Sequence, residues 1–291
     1  MEENIKSIIK WLGSKNRLLP VLEQNIPQKF NRYYEPFFGS GTLFFYLQPS
    51  NAVINDINED IYNLYKIILD KNKQKLFMSR IRTLDNKYYI LPFNKRKEFF
   101  FNVRDKFNKL KNNKENIKRS IYFVFLTNRC FNSIFKTNKY GNCIVGFGEL
   151  EGSKRKDTIN KNNLINVIDY LSNNKIKIYN KDFEELLRIH EKPKKGDFVY
   201  LDPPYFKDDK NSFTMYDKND FGIEENIRLL ELFKWLDKRG VYVMMSNHNV
   251  PQIKKMYKDY NIIPIKVDRF VSGRKNNHKM EKYNEVLIKN Y

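Results

Sequence analysis

The sequence predicts an α/β protein organised on a mostly parallel sheet, and three observations carry that prediction. Residues 33–42, Tyr33-Tyr34-Glu35-Pro36-Phe37-Phe38-Gly39-Ser40-Gly41-Thr42, read as a strand ending in a glycine turn. A helix opens at Leu43 and Ala52-Val53-Ile54-Asn55-Asp56 follows as a second short apolar strand, which completes a βαβ unit. The alternation returns after residue 164, with apolar runs at 175–179, 199–201 and 241–246 separated by helical patterns. Asp56, Asp182 and Asp202 stand just past three of these strands, where the carboxyl ends of a parallel sheet line one ligand crevice.

Taken in order, Lys10-Trp11-Leu12-Gly13-Ser14-Lys15 forms an N-terminal loop before a helix predicted from about 16 to 24, which Pro27 closes off. Helical pattern resumes over 60–69. From about 71 to 163 the character changes. Phe99, Phe100, Val103, Phe107 and Leu110 fall on one helix face, and 121–126 continues as a buried helix. The irregular stretch 128–136 then leads into glycine-punctuated residues 141–148, which predicts a helical lobe with a protruding loop or hairpin. Beyond it come the strand 175–179, a helix at 184–190 and the strand 199–201. The polar loop 206–221, with charges and aromatics but few apolar anchors, suits a mobile flap. An amphipathic helix at 223–237, a strand at 241–246 and a helix at 250–258 follow. Strands at 262–267 and 284–288 are expected as antiparallel neighbours across the basic loop 269–282. The division is therefore 1–70 and 164–291 as a catalytic domain, with 71–163 inserted.

At 291 residues the chain can bury a substantial core as one large or two modest domains, and its net charge of +20 predicts an anionic partner, nucleic acid foremost. Cys130 and Cys143 make neither a zinc pattern nor a disulfide framework and read as inert thiols in a reducing compartment. Met1-Glu2-Glu3-Asn4 lacks a signal-peptide pattern, and no apolar run reaches the roughly 18 residues of a membrane span. A soluble, intracellular protein is expected.

The stretch Val199-Tyr200-Leu201-Asp202-Pro203-Pro204-Tyr205 concentrates the chemistry. Two prolines forbid helix and further pairing, so the strand ends in a stiff elbow that presents a carboxylate, proline carbonyls and a tyrosine ring at one point. Carboxylate and carbonyl oxygens only accept, which suits an exocyclic amino group, and a tyrosine face suits a flat base extruded from its stack. An aromatic amine is a poor nucleophile because its lone pair is delocalised into the ring. Acceptors drawing on its hydrogens shift it towards sp³ geometry. Asp182 is placed to accept from an adenine amino group, with Phe183 stacking on the ring, although an acid at a strand end is more often a helix N-cap. Phe38-Gly39-Ser40-Gly41 lacks the third glycine of a dinucleotide fingerprint and the Gly-Lys of a phosphate loop, so it indicates a compact ligand rather than a pyrophosphate.

The order Lys10-Trp11-x-Gly13-x-Lys15, Glu35-Pro36-Phe37-x-Gly39-x-Gly41, Asn55-Asp56-x-Asn58, Asp182-Phe183, Asp202-Pro203-Pro204-Tyr205 resembles the Dam-like, DpnII-type DNA adenine-N6 methyltransferases. The likeness runs from about Lys10 to Asn290 and takes in 242–247 and 284–288. It implies S-adenosylmethionine (SAM) as methyl donor, S-adenosylhomocysteine as product and no metal. It also implies a seven-stranded, Rossmann-like methyltransferase sheet, with the helical insert as target-recognition domain on double-stranded DNA. Carried over by position, Trp11, Lys15, Asp56 and Asp202 would contact the cofactor or its surroundings. Glu35, Gly39 and Gly41, with Pro36 and Phe38 of the same turn, would shape the methionine pocket, and Asp182 with Phe183 the adenine pocket. Asp202, the Pro203 carbonyl and Tyr205 would hold a flipped-out adenine. Lys15, Arg129, Asn132, Lys136 and Lys139 would contact DNA. A monomer in the cytoplasm, associated with the nucleoid, is implied, in an orphan or restriction–modification setting, the latter with a cognate endonuclease.

Relatives that read GATC show Asn-Gly-Leu-x-Arg in the insert and Val-Pro-Phe/Tyr-Gly-Arg-Tyr after it, whereas here these read Asn132-Ser133-Ile134-Phe135-Lys136 and Val145-Gly146-Phe147-Gly148-Glu149-Leu150. A lysine cannot reproduce the arginine fork on guanine, so the GATC site is not carried over to this chain. Two other readings stay open from sequence. RNA and protein-glutamine N-methyltransferases use a similar elbow but usually begin it with Asn. A basic DNA-binding module with an inert methyltransferase core would retain DNA without methylating it.

Overall fold

The computed structural model describes residues 5–110, 116–205, 221–270 and 280–291. The flap expected over 206–221 and the basic loop expected over 269–282 lie almost wholly outside the described residues. Among those described, α1 spans Leu19–Glu23, β1 Tyr33–Glu35, α2 Thr42–Leu47, β2 Asn51–Asn55 and α3 Glu59–Leu69. Next come α4 (Lys71–Tyr89), α5 (Phe93–Lys109), α6 (Ile117–Arg129), α7 (Lys161–Asn173) and β3 (Lys175–Tyr179). The short α8 (Phe183–Glu185), β4 (Phe198–Leu201), α9 (Ile223–Lys238), β5 (Tyr242–His248), α10 (Pro251–Met256), β6 (Asn261–Phe270) and β7 (Met280–Lys289) complete the chain.

The seven strands form one sheet in the order β3-β2-β1-β4-β5-β7-β6. β1 runs parallel to β2 and β4, and β4 parallel to β5, while β7 lies antiparallel between β5 and β6. Every residue of β1 and β4 is buried, as the middle of a parallel sheet requires, and β4 is a continuous apolar run while β1 ends in the buried Glu35. The antiparallel pairing of the last two strands matches the sequence expectation.

The chain divides into two compact units, 1–16, 39–50 and 56–180 in the first, and 17–38, 51–55 and 181–291 in the second. In the first, α6 is buried along nearly its whole length, with Phe123, Val124, Phe125 and Leu126 inaccessible to solvent. Its Arg119 forks onto Asp60 of α3 at 2.5 and 2.8 Å and donates to the Phe107 carbonyl at 3.0 Å. Asn58 caps α3 by accepting from the Asp60 and Ile61 amides. Phe100, Val103 and Phe107 of α5 are buried as the helical spacing predicts. Cys130 and Cys143 are buried free thiols whose burial raises both pKa values to about 11. In the second unit, α9 packs Leu229, Leu232, Phe233 and Leu236 into the core. α1 begins three residues later than the sequence suggests, with Pro20 in its first turn, where a missing amide hydrogen costs nothing. No helix among the described residues is long and apolar enough to cross a membrane.

Candidate active site

In the second unit, β1 and β4 are hydrogen-bonded neighbours, yet the chain goes from β1 to β2 on one side and from β4 to β5 on the other. Such a reversal is the switch point at which open α/β sheets hold ligands. Glu35 ends β1 and Asp202 follows β4 directly. Glu35 is buried and accepts from the Tyr33 hydroxyl at 2.8 Å. Asp202 is half-buried, Pro203 buried and Pro204 exposed, so the elbow passes from core to surface within three residues. Tyr205 donates to Glu285 Oε2 on β7 at 2.6 Å, and its ring lies 5.1 Å from that of His248 at the end of β5. Burial, reinforced by the negative charges of Asp202 and Glu285, pushes the Tyr205 phenol well above its ordinary pKa. It therefore stays a donor. Below it, Tyr200 and Ser246 share a 2.8 Å hydroxyl contact between β4 and β5.

The ends of β1 and β2 are tied by Asn55, fully buried. Its amide donates to the Pro36 and Lys181 carbonyls at 2.9 and 3.0 Å, and its Oδ1 accepts from the Lys181 amide at 2.9 Å. This fixes where Asp182 begins the next turn. Asp182 caps α8 through Oδ1, which accepts from the Glu184 and Glu185 amides, and the same oxygen takes a 2.6 Å bond from Arg228 of α9. Phe183, expected as a stacking face, is only 5% exposed. Phe37 at 5.2 Å, Phe221 at 5.9 Å and the Arg228 guanidinium at 4.8 Å surround its ring.

In the first unit, Gly39 adopts φ +50° and a Cβ there would lie 3.1 Å from Trp11 Cδ1, so both backbone and space call for glycine. Asp56 braces this turn: Oδ2 accepts from the Gly39 amide at 2.7 Å and Oδ1 from the Asn58 amide at 2.8 Å. Burial raises its pKa to about 6. Gly41, also at positive φ, caps α2. Trp11 stacks on Phe135 at 5.8 Å and meets Phe123 at 5.9 Å, and Lys15 is buried with Nζ donating to the Gly13 carbonyl at 2.9 Å. Lys15 is thus an internal clamp of its own loop, not a surface cation.

The residues expected to meet DNA separate into two kinds. Arg129 is 8% exposed and turns inward. It bonds Asp85 at 2.7 Å, Tyr89 at 3.0 Å and Thr158 at 3.1 Å, because α6 aims it at the lobe's core. Asn132, Lys136 and Lys139 are exposed on a hairpin that runs from Arg129 to Gly148. Bridges Cys130 to Phe147 and Thr137 to Cys143 hold that hairpin, and Asn132 sits at φ 52°. Gly148 lies so close to the Cys130 carbonyl that a Cβ would approach within 2.6 Å. Glu149, at the position where the resemblance leads one to expect Arg, accepts from Arg96 at 2.9 Å and from the Tyr88 hydroxyl. Glu285 and Arg228 were not expected from the sequence, and Asn55 was expected only as part of the Asn55-Asp56-x-Asn58 motif. An acid in the apolar run 284–288 was the available signal for Glu285.

Comparison with known proteins adds a family and its members. The D12 class N6 adenine-specific DNA methyltransferase family matches residues 11–270. A Type II methyltransferase of Methanocaldococcus jannaschii, M.MjaIII, is 37% identical, with 99% of each chain covered. A second, M1.LlaDCHI of Lactococcus lactis subsp. cremoris, is 33% identical over 99% of this chain and 96% of its own. The DNA adenine methylase of Escherichia coli K12 is 26% identical over 99% of this chain and 95% of its own.

Proposed function

The chain belongs to the D12 class of N6 adenine-specific DNA methyltransferases, and from that premise we propose that it methylates adenine N6 with SAM, on a base extruded from duplex DNA onto the elbow after β4. The observation that carries this reading is the clamped elbow itself. Asp202 and the Pro203 carbonyl follow a fully buried strand at the switch point, and Tyr205 is fixed beside them by Glu285. Two oxygen acceptors drawing on the amino hydrogens return the nitrogen lone pair to one direction, and the tyrosine ring offers the base a stacking face. Extrusion costs a few kcal/mol, whereas orientation can supply on the order of 7–11 kcal/mol, so positioning suffices without a covalent intermediate.

The donor set also fits the cofactor. Within the second unit, the acidic side chains of Glu35, Asp182 and Asp202 suit a ligand with a sulfonium, an ammonium and an exocyclic amine, with Pro36 and Phe38 on the same turn as Glu35. When bound, SAM supplies the electrophilic methyl; N6 gives up one proton to solvent as the new bond forms. Exposed Asn132, Lys136 and Lys139 on the hairpin, with the +20 charge, support duplex DNA as substrate. The names of the two Type II relatives support a restriction–modification setting.

Incubating the purified protein with unmodified DNA and SAM, then reading modified bases by long-read sequencing, tests this. N6-methyladenine within one short context is the expected outcome. Unmodified DNA, or methyl groups on another base, would sink the reading.

A further inference from the structure

Arg228 on α9 touches both halves of the proposed adenine pocket. Its Nη2 donates to Asp182 Oδ1 at 2.6 Å and its Nε to Glu184 Oε2 at 3.0 Å, while its guanidinium carbon sits 4.8 Å from the centre of the Phe183 ring. Oδ1 of Asp182 thereby holds three donors, two cap amides and the arginine, and Oδ2 takes a hydrogen bond from none of the described residues. The Asp182 side chain remains 37% exposed and that of Arg228 42%, yet Phe183 beneath is 5% exposed. Of the two flat side chains the accessible one is thus that of Arg228, not the phenyl ring.

We infer that Arg228 is a positioning residue for the cofactor's adenine. It anchors Asp182 through one oxygen so that the other is presented to the exocyclic amine, and it lies between Phe183 and the purine as the stacking platform. This rests on the cofactor reading above and departs from it in the stacking partner. The fork fixes the guanidinium plane, which stacks on a ring on either side; a lysine keeps the charge but has neither plane nor fork.

Equilibrium binding of S-adenosylhomocysteine and of S-inosylhomocysteine, which carries a carbonyl in place of the amine, tests the assignment by calorimetry on the full chain and on its Arg228→Lys and Arg228→Ala variants. Wild type should prefer the adenine compound. Both variants should bind it about tenfold more weakly, the size of one flat cation contact and one fixed charge-assisted bond, and should discriminate less between the two compounds. Retention of DNA at low salt should not change, and Arg228→Lys carries the test if the alanine variant folds poorly. Variants that bind S-adenosylhomocysteine as wild type does would reduce Arg228 to a surface ion pair and overturn the inference. Tighter binding would overturn it too, making the side chain an obstacle the purine displaces. Wild type binding neither compound would instead remove the cofactor reading itself.

Discussion

The Tyr205 phenol donates to Glu285 Oε2 over 2.6 Å, joining the elbow after β4 to a strand near the chain's end. Glu285 is 1% exposed, so the bond lies in a dry setting where losing a donor to a charged acceptor costs about 1–3 kcal/mol. Tyr205→Phe keeps the ring and loses this bond. It should lower the melting temperature by about 2–4 °C per kcal/mol lost, yet keep measurable methyl transfer. Tyr205→Ala loses the stacking face as well. With 2-aminopurine at the target, the fluorescence rise of base extrusion should persist in the phenylalanine variant and shrink in the alanine one; equal responses would separate Tyr205 from base capture.

Asp202→Ala should leave DNA retention intact and cut methyl incorporation by on the order of 10²–10³-fold, the loss seen when one positioned hydrogen-bonding group is removed from a transition state. Labelled SAM and a filter assay read both quantities on the same sample. Undiminished incorporation would remove Asp202 as an acceptor for the amine.

The elbow was legible because its signals are local: an apolar run, an acid and two prolines define strand, exit and stiffness within seven residues. The same holds for the face Phe100, Val103 and Phe107. What escaped was set by distant pairing. Arg129 reads as a surface cation until Asp85 and Thr158, 44 and 29 residues away, turn it inward. Glu285 meets Tyr205 only because β7 lies beside β5 with Glu285 opposite His248. Asp182 shows the same limit in another form: a cap and an arginine share one oxygen, and neither precludes a ligand on the other.

Asp56 makes stability depend on pH. Its folded pKa of about 6 lies above the ordinary aspartate value of 3.8, with burial as the main cause. The folded state therefore holds the proton more tightly, and the stability Asp56 contributes is greatest below about pH 4, declines as pH rises through about 6 and stays low above it. The swing is at most about 3 kcal/mol. Urea unfolding of wild type and Asp56→Ala should show a larger wild-type advantage at pH 4.5 than at pH 7.5. An advantage that grows with pH would mean the carboxylate is stabilised, not penalised, by its surroundings.

Asp85→Ala should be among the most damaging single changes in the helical unit. It strands the guanidinium of a residue that is 8% exposed and that otherwise, among the described residues, bonds neutral groups and faces aromatic rings, at a cost of about 3–5 kcal/mol. Asp85→Asn keeps an acceptor and should lose less. Denaturant midpoints rank the two, and an Asp85→Ala chain as stable as wild type would take the pair out of the lobe's architecture.

Lys136→Ala should do the reverse, with stability within about 0.5 kcal/mol of wild type because the side chain is exposed on the hairpin. Its position matches the arginine with which GATC-reading relatives are expected to fork onto guanine, so the loss should fall on base choice: a broader set of methylated contexts at one position, with methyl transfer otherwise retained. A phosphate contact would behave differently. It would weaken binding to all sequences alike and reduce the slope of log K against log salt by about 1. Methylation profiles and salt titrations of wild type and variant tell these apart, and identical profiles with identical slopes would place DNA recognition elsewhere on the chain.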